Sequence, residues 1–213
     1  MSPTPTKLAA TLTLALAAGC SGDRADAAAP AGENDATASI EAQRAADMLY
    51  AVIEADRKVY TQRVVDRLTR DTPIEIADPD SGELRPLVAS ERWQSEPGSL
   101  PLPSSMFKMA ADDVSEQQTG LHYALISEWP IGSQNRAQTE AEERGLAAVR
   151  ETQKPHYDVE DLGDRRYLTA VYPDVAVAEA CVDCHNAHPD SPRTDFELGD
   201  VMGGVVVRLE LSP

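Results

Sequence analysis

The sequence predicts an α+β domain with a small antiparallel sheet, flanking helices and a long N-terminal helix. Two observations carry that expectation. Apolar residues at helical spacing run from Ser39 to about Leu68, and strand-like runs follow later, interleaved with further helical segments. Helices at the start and strands woven in afterwards make such a domain.

Each element has its own signal. Ala45, Leu49, Val52, Ile53, Tyr60, Val64 and Leu68 recur with charges between them, which makes the first segment one long amphipathic helix. Residues 71–103 are rich in Pro, Gly and acidic residues, with short apolar pieces at Ile74 to Ala77 and Leu84 to Ala89; they read as turns and a hairpin. Pro103-Ser104-Ser105 opens a second helix that runs to about Gln118, and Gly120 ends it. Leu121 to Trp129 is a strand candidate, and Thr139 to Thr152 a third helix dense in Glu. Arg166 to Val177 has strand character, and Gly203-Gly204 leads into a closing valine-rich strand from Val205 to Leu211.

The chain has 213 residues, and its first twenty predict an export signal. Lys7 supplies a basic start, and the apolar run Leu8 to Ala18 is too short to span a bilayer. It ends in Leu16-Ala17-Ala18-Gly19-Cys20, which resembles the lipobox of bacterial lipoproteins, with Leu16 one place farther from the cysteine than is usual. Two processing routes follow: lipidation of Cys20, which then anchors the protein to a membrane, or ordinary cleavage near Ala18 with Cys20 discarded. Residues 21–37 are small and polar and predict a flexible tether. Residues 38–213 are long enough for one domain with a real core. The expected location is the periplasm or cell envelope of a bacterium.

The formal net charge is −17, and it becomes more negative when Lys7 leaves with the signal. That argues against nucleic acid and against electrostatic docking on anionic lipid. No G-x-S-x-G, H-E-x-x-H, P-loop or dinucleotide fingerprint occurs, so no enzymatic site is expected.

The most specific chemistry lies at Cys181-Val182-Asp183-Cys184-His185. A C-x-x-C-H pentapeptide is the attachment signature of c-type haem: two thiols add to the vinyl groups, and the adjoining imidazole becomes an axial ligand of the iron. The chain has three cysteines, and if Cys20 is consumed in processing only this pair remains, which rules out a disulfide framework. The other readings are a local dithiol, or a zinc site completed by residues such as His185 and His188.

Four patches carry a resemblance to the PAS-like, single-haem c-type domain family. They are Arg57 to Thr61 with Val64-Val65; Leu102 to Phe107; Ile126 to Asn135 with Glu140 to Glu143 and Leu146; and Ala180 to His185 with Gly199 to Gly204 and the terminal valine-rich strand. Members occur alone in exported haem proteins and as extracytoplasmic sensor modules. The resemblance implies one haem c held by Cys181 and Cys184, His185 as proximal ligand, and a role in redox or ligand sensing or in electron transfer. The partner would be a redox or signalling protein of the envelope. Some members complete the iron with a helix cysteine. This domain has no thiol left for that, and the alignment puts Met106 nearest the position as candidate distal ligand, with Met109 and His122 as weaker alternatives.

Overall fold

The computed structural model describes residues 33–70, 73–78 and 80–211, with side chains of the first helix described from residue 41. The residues expected to form an export signal, Cys20 and the start of the expected tether lie outside the described residues. Among those described, no helix is long and apolar enough to cross a membrane.

The first helix, α1, spans Glu33–Tyr60, and so begins inside the segment read as a tether. It continues through a π-helical segment, Thr61–Val65, into a short helix α2, Asp66–Arg70. The face that packs is Ala42, Ala46, Leu49, Tyr50 and Ile53. Val52, expected on that face, is exposed, as are Met48 and Val59. One residue of helical phase turns a side chain by about 100° and carries Val52 off the core stripe.

Between α2 and the next helix lie four short strands. β1 (Glu75–Ala77) and β2 (Leu84–Pro86) form the expected antiparallel hairpin. β3 (Val88–Ser90) and β4 (Ser99–Pro101) add a parallel pair that sequence alone did not suggest. Helix α3, Pro103–Glu116, begins with Pro103 in its first turn, where the missing N–H costs nothing. Gln118 and Gly120 take positive φ and turn the chain into the sheet.

The sheet has four antiparallel strands in the order β5-β8-β7-β6. They are β5 (Leu121–Ile126), β6 (His156–Leu162), β7 (Arg165–Val175) and β8 (Val201–Glu210). One face, through Leu168, Ala170, Tyr172, Val205 and Val207, packs on Ala46 of α1 and Phe107 of α3. The other, through Val171 and Val206, packs on Leu146 and Val149 of α4, which spans Glu140–Thr152. Burial on both faces explains why β8 reads as an almost unbroken apolar run.

Two details correct the sequence reading. Gly203 and Gly204 lie within β8, not in a turn before it: a Cβ on Gly203 would sit 2.3 Å from the Ile126 carbonyl oxygen. Residues 156–162, outside every element that the sequence predicts, form β6, where His156 Nε2 is buried without a hydrogen-bond partner. Helix α4 starts as expected, with the Thr139 side chain accepting from the Glu142 N–H at 3.2 Å.

Candidate functional site

The C-x-x-C-H segment forms helix α5, Glu179–Ala187. Residues three and four apart share a helix face, so Cys181, Cys184 and His185 point the same way. All three line one cavity of about 510 Å³. A cavity of that size suits a cofactor or a drug-sized ligand.

Other elements hold α5 in place. The Gln62 side chain in the π segment donates to the Val177 carbonyl at 2.7 Å, and Asp66 accepts from the Ala180 N–H at 3.2 Å. Departures from the regular α-helix of this kind concentrate at functional sites. Val182 packs with Ala176, Phe196 and Met202, while Trp129 and Cys181 flank the cluster. Phe196 stands edge-on to His185, with ring centroids 5.8 Å apart. Arg193 lies over Trp129 and Phe196 and is salt-bridged to Asp195 and Asp200, so it is engaged within its own loop.

The remaining walls come from far along the chain. Arg57, Thr61 and Val65 project from α1 and the π segment, and Pro103, Ser104 and Ser105 from the first turn of α3. Leu125 and Ile126 end β5 with Ser127 just beyond, and the loop through Gln134 and Asn135 closes back on it as the Ser127 N–H donates to Asn135 O at 2.8 Å. Asp174 and Met202 complete the wall from the ends of β7 and β8.

Met106 is half-buried on α3 and does not line this cavity, whereas its neighbour Ser105 does. Met109 is exposed, and His122 sits in β5, where its Nδ1 is 3.2 Å from Ser115 Oγ, outside the cavity wall. Sequence reasoning assigned no role to Arg57, Asp174 or Thr61. Their place in the wall depends on contacts more than a hundred residues apart, which no local pattern signals.

Both thiols are free, Cys181 half-buried and Cys184 exposed. Burial pushes the Cys181 thiol up, with Arg57 pulling against it; desolvation also raises Cys184, and Glu91 adds to the rise. Reactive dithiols show the reverse, a lowered pKa. Burial holds His185 below the ordinary imidazole value, with Asp174 opposing it, so the ring is neutral near pH 7. Its Nδ1 is buried with no hydrogen-bond partner. Among the described residues, no group of three or more His, Cys, Asp or Glu is gathered to hold a metal ion by itself, so the ligands of a four-coordinate zinc site are not assembled.

These residues fit a c-type haem. Two thiols and a neutral imidazole share one helix face, a cavity of cofactor size lies before them, and apolar side chains such as Val65, Leu125 and Ile126 line it. Fold and site together define an α+β domain with a cofactor-sized cavity set against a cysteine- and histidine-bearing helix.

A family model described as Tll0287-like matches residues 35–209. The chain belongs to that family, a cytochrome-like, haem-binding domain family. No curated protein and no solved structure matches the chain.

Proposed function

We propose that the protein is an exported single-haem c-type cytochrome of PAS-like architecture, acting in redox or ligand sensing or in electron transfer in a bacterial cell envelope. The observation that carries the proposal is the convergence of Cys181, Cys184 and His185 on one cavity wall. Cys181 and Cys184 would hold the macrocycle through thioether bonds, and His185 would supply an iron ligand. When bound, the haem would supply a one-electron iron couple and room for one further ligand.

The chain's own residues do the rest. The Phe196 ring edge limits rotation of the His185 imidazole. Apolar side chains of the cavity keep bulk water from the group and lower the local dielectric. Met106 lies outside the cavity wall and stands as one candidate thioether for the remaining iron ligand. Met202, already in the wall, is the competing thioether. The acidic surface suits a redox or signalling partner with basic charge, and lipidation at Cys20 tethers the protein to a membrane. No enzymatic activity is assigned.

Expression with a cytochrome c maturation system, followed by oxidised and reduced absorption spectra with and without CO, tests this reading. A c-type pyridine haemochrome is expected, and its absence overturns the proposal. Rapid CO binding by the ferrous protein favours ligand sensing, whereas slow or absent binding favours electron transfer. Spectra of Met106→Ala and Met202→Ala separate the two thioethers.

A further inference from the structure

Arg57 and Asp174 meet although they stand far apart along the chain. Arg57 lies in the last turn of α1, and Asp174 lies where the register of β7 against β8 breaks. The contact has two points: Arg57 Nη1 is 2.5 Å from Asp174 Oδ1, and Nη2 is 3.1 Å from Oδ2. The side chains are only 15% and 12% exposed, and both residues line the cavity that holds Cys181, Cys184 and His185. Arg57 Nε is buried with no hydrogen-bond partner.

A buried ion pair is a poor device for stability alone, because desolvating two charges offsets most of their attraction. Its placement in this wall therefore calls for another account. Charges screened from water act strongly on their neighbours. Ferric haem carries one more positive charge than ferrous haem, so a fixed cation and a fixed anion beside it act on the couple with opposite signs.

We propose that Arg57 and Asp174 are opposed electrostatic positioning residues that set the reduction potential of the iron held by His185, Arg57 favouring the ferrous and Asp174 the ferric form. This rests on the haem reading above. Neither residue touches the reacting atoms in this account; each acts through the field in the cavity. The pair nearly cancels, so the potential of the intact protein reflects a balance that either residue can tip.

The test is a spectropotentiometric titration of the haem-loaded protein, with haem content measured separately by pyridine haemochrome. Arg57→Gln should lower the ferrous-to-ferric ratio at fixed ambient potential about tenfold, or about 59 mV for one electron. Asp174→Asn should raise it by a similar factor. The double variant Arg57→Gln/Asp174→Asn, which buries no unpaired charge, should return to within about threefold of the parent ratio, and Arg57→Lys, which keeps the charge, should do the same. Single variants that shift in the same direction, or not at all, overturn the proposal. So does a double variant displaced about tenfold or more from the parent ratio, an arm read against the parent alone and therefore decisive even where the single variants fail to fold. A parent protein that takes up no haem defeats the functional reading itself, and the haemochrome assay registers that outcome separately.

Discussion

Asn186, the residue after His185, exchanges two hydrogen bonds with Phe196: its Nδ2 donates to Phe196 O, and its Oδ1 accepts from the Phe196 N–H, each at 2.9 Å. The same Phe196 ring stands edge-on to His185. One amide side chain thus ties the loop after α5 to the helix that carries the site, and through the ring it restrains the imidazole.

Asn186→Ala should remove both bonds and leave two backbone groups of Phe196 to find new partners. The expected cost is about 1–3 kcal/mol of stability. Thermal unfolding measures it. A lower yield of haem-loaded protein should accompany it, because the His185 ring loses its restraint. A variant with parental stability and parental loading contradicts this role for the clip.

Gly145 marks the close approach of α4 to the sheet. A Cβ there would lie 2.3 Å from Val171 Cγ2. Alanine in a helix ordinarily gains about 1 kcal/mol over glycine. Here overpacking outweighs that gain, and Gly145→Ala should destabilise the fold by about 1–3 kcal/mol. Urea denaturation reads the change as a lower midpoint at unchanged slope. Adding Val171→Ala should restore part of the loss.

Tyrosine ionisation should limit stability on the alkaline side. Burial pushes Tyr50 up to about 12, with Glu54 adding to it. Burial and a 2.6 Å hydrogen bond to Asp47 Oδ1 push Tyr157 up to about 12. Tyr172 donates to the same oxygen at 2.8 Å and is raised further, chiefly by burial. An unfolded tyrosine ionises near pH 10. A folded pKa above the unfolded one contributes stability that is fully present below about pH 10 and lost as pH rises through about 12. Phenolate absorbance followed beside circular dichroism should show these three rings ionising together with unfolding. Ionisation of all tyrosines near pH 10 in a folded protein contradicts this.

The sequence and the structure agree most where chemistry is local. The thiols and imidazole of Cys181, Cys184 and His185 are fixed by adjacent residues, so the motif is legible without a fold. Pro103 and Thr139 mark the starts of α3 and α4 for the same reason: a missing N–H and a capping side chain act within one turn. The rest depends on long-range pairing. β6 is polar enough to pass for a loop, and it becomes a strand because His156 to Leu162 pair with Arg165 to Val171. The cavity wall takes Ser105 and leaves Met106 out, a difference of one residue of helical phase that sequence spacing does not resolve. Arg57 and Asp174 carry no mutual signal across the 117 positions between them.

The central claim is that Cys181 and Cys184 bind one haem covalently. Acid–acetone extraction of the protein matured with a cytochrome c assembly system tests it most directly, with the intact mass recorded before and after. The account predicts one haem retained on the parent chain after extraction, and none retained on the Cys181→Ala/Cys184→Ala double variant. Complete extraction of haem from the parent chain, or a parent mass with no added group, would contradict it.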